Sequence, residues 1–208
     1  MINWKTFEGF SDYESSVKEM ETLVREIIAD KRSEQIWLLQ YNSLYTAGTS
    51  AKEKDLIERA VFPIHRARRG GQFTYHGPGQ RIIYPILDLR KLRKDVRYYI
   101  WLLEEWIIKT ISKFKIEGQR HKGRVGIWVD GLNGEKKIAA IGVRITKWIS
   151  SHGISVNLDP NLSNYRGIVP CGISDQGVTS FTDLGISITA NEFDHELKKT
   201  FQEIFRKL

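Results

Sequence analysis

Apolar residues recur at intervals of three and four in three parts of the chain, which is the spacing of one buried helix face. These segments are Tyr13 to Ile28, Val96 to Phe114 and Phe193 to Phe205. Two of them follow the capping-box spacing of a serine or threonine and a glutamate, in Ser11 to Glu14 and in Thr189 to Glu192. The sequence therefore predicts one helix near each end of the chain and a third near its middle.

Shorter apolar runs rich in β-branched residues predict strands. They are Ile36 to Gln40, Ile64 to Arg68, Ile82 to Leu87, Val125 to Val129, Lys137 to Ile145 and Ile154 to Leu158. Asn133-Gly134 separates two of these runs and is a strong signal for a hairpin turn. Because hairpin-joined strands are mixed with flanking helices, the order favours an α/β protein of the α+β type over regular strand–helix–strand repeats. We expect a mixed or antiparallel sheet flanked by helices, with residues 1–208 forming a single domain.

The composition, with 41% hydrophobic and 27% charged residues, is typical of a soluble globular protein. Residues Met1 to Met20 lack the apolar stretch of a secretion signal. The most apolar segment, Tyr98 to Ile108, contains two glutamates and is too short to cross a bilayer. We therefore expect a cytoplasmic protein that does not act on membranes, and the single cysteine agrees with a reducing compartment.

The chain has 32 lysine and arginine residues against 25 aspartate and glutamate residues, a formal net charge of +7. Such a charge attracts nucleic acids or acidic proteins. The sequence has neither zinc-finger spacing nor an RNA-recognition motif, so nucleic acid is the weaker interpretation. The clearest basic cluster is Lys91, Arg93, Lys94 and Arg97. We hypothesise that its first three residues help to dock an acidic partner protein.

The segment Arg69 to Gln80 has four glycines and a proline in twelve residues, which excludes a helix or a central strand. Glycine permits close approach of a ligand to the backbone, and Arg69, Thr74, Tyr75 and His76 add polar groups to such a site. A turn-rich loop that only packs on the core is the alternative. The segment matches neither a Walker A phosphate loop nor a dinucleotide-binding pattern.

Cys171 is the only cysteine, so it cannot form an intrachain disulfide or a thiolate-rich metal site. It is either an inert apolar residue or a nucleophile. His152 is a candidate base for the cysteine, although a structural hydrogen-bonded role is favoured. Of the adjacent Lys136 and Lys137, only one can face the interior of the protein, and Lys137 lies where the apolar residues begin. The pattern alone nevertheless favours an ordinary lysine at the end of a hairpin. The five histidines show no metal-ligand spacing, which predicts no metal.

Four segments in this order resemble the octanoyltransferases of lipoate biosynthesis, also called lipoyl(octanoyl) transferases. Arg69 to Gln80 matches the family's R-G-G-x-x-T-[WFY]-H-G-P-G-Q motif. The other matches are the lysine motif in Lys137 to Arg144, the His-Gly motif in His152 to Asn157, and the Pro-Cys-Gly motif in Pro170 to Gly172. Alanine is common in the family where Ser155 stands. The matches cover about half of the chain, from Arg69 to Gly172.

The resemblance implies the catalytic-domain fold shared with biotin protein ligases and lipoate ligases. It implies that Cys171 carries the acyl group as a thioester, and that Lys137 lowers the pKa of the thiol and acts as acid and base. The acyl pocket would be lined by Arg69, Gly70, Gly71, Gln72, Phe73, Thr74, Tyr75, His76, Ala140, Ile141, Gly142, Gly153, Ile154 and Ser155. No cofactor is implied, because a thioester already drives amide formation.

The resemblance also implies the partners. The donor would be octanoyl-acyl carrier protein, and the acceptors would be lipoyl domains of 2-oxoacid dehydrogenase complexes and the glycine cleavage H protein. Two alternatives remain open: an ATP-dependent lipoate or biotin protein ligase, and an inactive module that binds acyl carrier protein. The ligase would need ATP and a nucleotide-phosphate loop, whereas the inactive module would not need Lys137 and Cys171.

Overall fold

The computed structural model describes residues 2–58, 61–131, 134–169 and 177–206. Within them, the strands of one large mixed sheet are β1 (Asn3–Ser11), β2 (Gln35–Tyr41), β6 (Gln80–Ile86), β7 (Gln119–His121), β8 (Arg124–Gly131), β9 (Gly134–Thr146), β10 (Ile149–Asn157) and β11 (Gly177–Val178). Their order across the sheet is β1-β2-β6-β10-β9-β8-β7, with β11 also paired to β9. A second sheet contains β3 (Leu44–Ala47), β4 (Ile64–Arg66) and β5 (Phe73–His76), in the order β4-β3-β5. The neighbours β2, β6, β10, β9, β8 and β7 pair antiparallel, whereas β1 runs parallel to β2 and β11 parallel to β9. The predicted α+β arrangement is confirmed.

The helices are α1 (Tyr13–Ile28), α2 (Val96–Ser112) and α3 (Ala190–Ile204). Short 3₁₀ turns lie at Glu53–Asp55, Leu162–Gly167 and Thr182–Leu184.

Alternation along the strands divides the buried residues between the two faces of the large sheet. On β2, Ile36 and Leu38 belong to one core cluster with α2 and α3, whereas Trp37 and Leu39 belong to another with α1. The first cluster is built around Trp106 and Phe193. The sheet is therefore covered by α1 on one face and by α2 and α3 on the other.

The helix ends test the predicted caps. Thr189 forms the predicted capping box with Glu192 at the start of α3. The capping box predicted at Ser11 is wrong, because Ser11 is the last residue of β1 and pairs with Tyr41. Asp12 caps α1 instead, its carboxylate accepting a hydrogen bond from the backbone N–H of Ser15 at 2.8 Å.

Several strands have no counterpart among the predicted ones. The edge strand β1 is partly exposed and shows no clear apolar alternation, so its sequence carries little signal. Strand β5 lies inside the glycine-rich segment, where it forms the edge of the small sheet. The hairpin between β8 and β9 is present, since Gly131 pairs with Gly134. Asn133 of the expected turn lies outside the described residues. None of the helices in the described ranges is long and apolar enough to cross a membrane.

Candidate active site

A pocket with a free volume of about 50 Å³ lies between the glycine-rich segment and strands β9 and β10. Its lining includes many of the residues predicted to bind substrate: Arg69, Gly71, Gln72, Phe73, Thr74, His76, Ala140, Ile141, Gly142, Gly153, Ile154 and Ser155. The glycine-rich motif, the lysine motif and the His-Gly motif therefore meet in one cavity. Their role in binding an acyl chain stays a prediction.

Two residues predicted for the pocket take other positions. The N–H of Gly70 donates a hydrogen bond to the carbonyl of Val143 at 3.0 Å, which ties the glycine-rich segment to β9. Tyr75 packs in a separate core cluster of the small sheet, and the amide of Asn164 donates to its hydroxyl at 2.8 Å. Both residues support the pocket wall from outside its lining.

Arg69 is buried, and its guanidinium holds the glycine-rich segment in shape. It donates hydrogen bonds to the carbonyls of Gly70, Gln72 and Thr46 at 2.9, 3.0 and 2.9 Å. It also donates to the hydroxyl of Thr46 at 2.6 Å. These bonds join the segment after β4 to strand β3 of the small sheet.

A β-carbon on Gly142 would lie 3.0 Å from the Gly70 carbonyl oxygen, so the close approach of β9 to the glycine-rich segment favours glycine at position 142.

Tyr13 and Tyr84 also line the pocket, and the sequence-based prediction missed both. Tyr84 belongs to a buried group of polar aromatic side chains, in which the hydroxyl of Tyr41 lies 3.3 Å from that of Tyr84. Burial raises the pKa of each of these three tyrosines above its ordinary value. The period-two pattern of β6 could have placed Tyr84 on this face, but no local signal brings Tyr13 to it.

Two buried histidines lie close to this group and are neutral at ordinary pH. Burial, with a smaller contribution from the charge of Arg69, lowers the pKa of His76 to about 3 and that of His152 to about 3. His152 packs edge-on against Tyr84 with 5.7 Å between the ring centres. It has a φ of +55°, and its backbone N–H points to the sulfur of Met20 on α1. This environment agrees with the structural role that the sequence favoured for His152.

A hydrogen-bond network led by Gln80 joins the glycine-rich segment to β10. The amide nitrogen of Gln80 donates to the side-chain oxygen of Asn157 at 3.0 Å and to the hydroxyl of Tyr165 at 2.7 Å. The side-chain amide of Asn157 donates to the Thr179 carbonyl at 2.8 Å. His76 lies 3.2 Å from the Gln80 side-chain oxygen. The sequence identified Gln80 and Asn157 only as positions in the family motifs. The network shows that they connect the glycine-rich segment, β10 and the segment around Tyr165.

Lys137 lies on β9 with 6% of its surface exposed, whereas Lys136 is only partly buried. Of the two lysines, Lys137 is therefore the one that faces inward. Its ammonium donates to the carbonyl oxygen of Val125 at 3.2 Å and lies 4.6 Å from the centre of the Trp128 ring. Lys136 instead reaches Asp183 at 3.4 Å. A small cavity beside Lys137 is lined in part by Thr74 and Ala140, which also line the large pocket.

Cys171, with Pro170 and Gly172, lies outside the described residues. The chain reaches this segment from Val169, whose N–H donates to the Asp55 carbonyl at 2.7 Å. It returns at β11, where Gly177 and Val178 pair with Lys136 and Lys137. Val178 also lines the small cavity at Lys137. The described chain therefore resumes, after the segment that carries the only cysteine, beside the lysine predicted to activate it.

The basic cluster predicted to dock an acidic partner is partly engaged in ion pairs. Lys91 pairs with the buried carboxylate of Glu34 at 2.5 Å. Arg93 pairs with Asp95 at 3.4 Å, while Lys94 is exposed. The docking role of these residues stays a prediction. Among the described residues, no group of three or more histidine, aspartate and glutamate side chains is arranged to hold a metal ion.

Comparisons with known proteins show which family the chain resembles over nearly its whole length. The family model of the lipoyl protein ligase A/B catalytic domain matches residues 12–202. An octanoyltransferase of Bartonella quintana is 51% identical over 98% of this chain and 87% of its own length. An octanoyltransferase of Cereibacter sphaeroides is 47% identical over 98% of both chains.

Solved structures show the same fold at low sequence identity. A lipoate-protein ligase A bound with ATP superposes with a TM-score of 0.76 at 13% identity, over 98% of this chain and 85% of that one. A biotin protein ligase from Aquifex aeolicus, in complex with biotin and ATP, gives a TM-score of 0.59 at 12% identity, over 99% and 70%. The fold is thus that of the lipoate and biotin ligase catalytic domains. The sequence relatives and the family model together show that the chain belongs to the octanoyltransferases of lipoate biosynthesis, a family of acyltransferases.

Proposed function

We propose that this protein moves an octanoyl group from octanoyl-acyl carrier protein, through a thioester on Cys171, to a lysine of a lipoyl domain. The acceptors would be the lipoyl domains of 2-oxoacid dehydrogenase complexes and the glycine cleavage H protein. The observation that carries the proposal is that Thr74 and Ala140 line both the large pocket and the cavity at Lys137. An acyl chain held in the pocket would therefore have its carbonyl end close to an ammonium group.

The pocket suits a flexible acyl chain because its lining combines apolar side chains with glycines. Phe73, Ile141 and Ile154 offer apolar surface, while Gly142 and Gly153 allow the chain to approach the backbone. The buried tyrosines and histidines at this face contact one another and Gln80. The charged guanidinium of Arg69, which also lines the pocket, donates to the backbone carbonyls of Gly70, Gln72 and Thr46. This supports a neutral acyl chain as the ligand.

The first half of the reaction needs a thiolate on Cys171. An ordinary thiol has a pKa of about 8.5, so it is mostly protonated at neutral pH. A buried ammonium nearby favours the thiolate by up to roughly 4 kcal/mol at 4 Å and an effective dielectric constant of about 20. The thiolate attacks the donor thioester carbonyl, the bond to the phosphopantetheine sulfur breaks, and that sulfur leaves with a proton from Lys137.

The second half transfers the acyl group to the acceptor. The amine of the acceptor lysine attacks the carbonyl of octanoyl-Cys171, the carbon–sulfur bond breaks, and an amide forms. Lys137, left neutral by the first half, takes the proton that the amine loses. Both the thiolate and the ammonium are then restored. Because an amide is more stable than a thioester, the transfer needs no ATP.

The proposal is tested by intact-mass measurement after incubation with octanoyl-acyl carrier protein. We expect the mass of one octanoyl group to be added, to be removed by neutral hydroxylamine, and to be absent in Cys171→Ser. The adduct should then pass to a lipoyl domain. Failure of the wild-type protein to gain the adduct would sink the thioester mechanism and leave the inactive-module interpretation. An adduct of equal yield on Cys171→Ser would place the acyl group on another residue and would also contradict the mechanism.

An ATP-dependent ligase is the second candidate, because the solved neighbours with this fold include ligases bound with ATP. Such an enzyme would activate free octanoate or lipoate and would not need Cys171. Octanoylation of a lipoyl domain, measured with the carrier-protein donor and with free octanoate plus ATP, separates the two. Transfer from the carrier protein without ATP supports the proposal, and transfer only with free acid and ATP supports the ligase.

A further inference from the structure

One peptide group of β8 lies between two ionisable side chains. The N–H of Gly126 donates to the carboxylate of Glu104 on α2 at 3.2 Å. The carbonyl oxygen of Val125 accepts from the ammonium of Lys137 at 3.2 Å. This N–H and this carbonyl belong to the same peptide bond, between Val125 and Gly126. Glu104 and Lys137 are therefore joined through the two ends of one peptide dipole.

The local shape of β8 makes this arrangement possible. The register of β8 against β9 shifts between Ile127 and Trp128, next to Gly126. Gly126 has a φ of +121°, and a β-carbon there would lie 2.7 Å from the Ala139 carbonyl oxygen and 3.3 Å from the Lys137 side chain. Only glycine fits this position without displacing Lys137. The irregularity of the strand is thus placed at the peptide that contacts the lysine.

Glu104 is an unusual residue for its position on α2. It is only 7% exposed, and its neighbours Leu103 and Ile107 lie in the apolar core. Burial raises the pKa of its carboxyl, while the Gly126 N–H and the charge of Arg120 act in the opposite direction. Arg120 lies 3.6 Å from Glu104 and also pairs with the adjacent Glu105. A helix residue that only needed to fill this space would be apolar, since burying a carboxylate is costly.

We propose that Glu104 is a positioning residue for the acyl transfer, and that it acts on Lys137 through the Val125–Gly126 peptide. A carboxylate that accepts from the peptide N–H polarises the peptide group, so the carbonyl oxygen of the same peptide becomes a stronger hydrogen-bond acceptor. The carbonyl then holds the Lys137 ammonium in place. The inference rests on the proposed function, in which that ammonium favours the Cys171 thiolate.

The decisive variant is Glu104→Gln, which keeps a side-chain oxygen for the Gly126 N–H and removes the charge. Glu105→Gln is the matched control, because Glu105 pairs with the same arginine and Gly126 bonds to Glu104 instead. The first measurement does not depend on catalysis: the ¹⁵N resonance of the Lys137 side chain, identified by its loss in Lys137→Met. We expect Glu104→Gln to shift this resonance and to speed its exchange with water, and Glu105→Gln to leave both unchanged. An unchanged resonance in Glu104→Gln would overturn the proposal.

The second measurement is the rate at which iodoacetamide alkylates Cys171, which is unambiguous because the chain has one cysteine. A charge-assisted hydrogen bond is roughly twice as strong as a neutral one, so we expect Glu104→Gln to slow alkylation at pH 7 by about fivefold. In the Lys137→Met background the same change should have no further effect. An equal slowing in both backgrounds would show that Glu104 acts by another route.

These results keep the two proposals separate. If Lys137→Met leaves the alkylation rate unchanged, the proposed activation of Cys171 fails, whatever Glu104 does. If Lys137→Met slows alkylation and Glu104→Gln does not, the activation stands and the positioning role of Glu104 fails. Thermal unfolding of Glu104→Gln and Glu105→Gln checks that both variants keep the fold.

Discussion

The two faces of the large sheet bury different chemistry. The face under α2 and α3 is closed by aromatic side chains that pack on one another, with 5.1 Å between the ring centres of Trp106 and Phe201 and 4.6 Å between those of Phe201 and Phe205. The face under α1 buries Tyr41, Tyr84 and His152, whose polar atoms need partners. The pocket opens on the second face. One face is therefore closed by apolar packing, and the other combines packing with a pocket.

The difference shows how a small enzyme separates two needs. Apolar aromatic packing has few polar atoms to satisfy and can be dense, so it anchors the sheet. Polar aromatics near the pocket give a rigid wall, but they add buried groups that respond to pH. Glu104 is an exception, because this ionisable side chain comes from the α2 and α3 face. Hydrogen bonds through the Val125–Gly126 peptide of β8 connect it to Lys137.

The largest effect on stability should come from the α2 and α3 face. We expect Phe201→Ala to lower the free energy of unfolding by about 3–5 kcal/mol, because it removes a ring packed between Trp4, Trp106 and Phe205. Urea unfolding measures the loss, and activity per folded molecule should be unchanged. Phe10→Ala is the control, since Phe10 is half exposed and should cost less than about 1 kcal/mol. Similar losses for the two variants would contradict the assigned role of this face.

At the candidate active site, a substitution should instead reduce activity and leave stability unchanged. Lys137→Met keeps the length and the apolar part of the side chain, and it should lower kcat by about a hundredfold or more through loss of the ammonium. Steady-state octanoyl transfer measures the effect, and thermal unfolding checks that the fold is kept. Lys136→Met is the matched control, because its ammonium reaches Asp183 on the outside. If both lysine variants lost the same activity, the inward position of Lys137 would not explain its role.

The polar face should make stability depend on pH. The unfolded chain protonates His152 below pH 6.5, whereas the folded protein keeps it neutral down to a pKa of about 3. Unfolding therefore becomes easier as pH falls from 6.5 toward 3, by about 2 kcal/mol at pH 5 from this residue, and the effect is absent above that window. Unfolding measured from pH 7 to pH 5 should lose part of this dependence in His152→Asn.

His195→Asn is the control for that prediction, because the side chain of His195 is largely exposed on α3. It should leave the pH dependence of unfolding as it is in the unchanged protein. A wild-type unfolding free energy that stays constant between pH 7 and pH 5 would refute the neutral, buried state of His152. Asparagine is chosen because it tolerates the left-handed backbone found at this position.

A smaller effect is expected from narrowing the pocket. Ala140→Leu adds volume where the pocket meets the cavity at Lys137, which is the carbonyl end of the bound chain, so it should lower kcat/KM for an octanoyl donor by about tenfold. Steady-state transfer from octanoyl-acyl carrier protein measures the loss. Ala29→Leu, at the exposed end of α1, should leave kcat/KM unchanged. An unaltered kcat/KM in Ala140→Leu would mean that the acyl chain does not pass this residue.

The sequence alone was sufficient for the three helices and for most of the residues that line the pocket. The helices were predictable because an apolar face repeats every three to four residues within one segment. Arg69 to His76, Ala140 to Gly142 and Gly153 to Ser155 were predictable because short motifs carry them. Strands β1 and β5 were missed, because an exposed edge and a glycine-rich segment both lack the alternation of a buried strand.

Only the tertiary structure decided which distant residues act together. It brought Tyr13 and Tyr84 into the pocket, joined Gln80 to Tyr165 across 85 positions, and placed Glu104 behind the peptide that holds Lys137. No local pattern encodes these contacts, because they depend on how α1 and α2 pack on opposite faces of the sheet. Residue types and motif spacing determined the family and the candidate chemistry of this protein. Packing across the sheet decided what surrounds that chemistry.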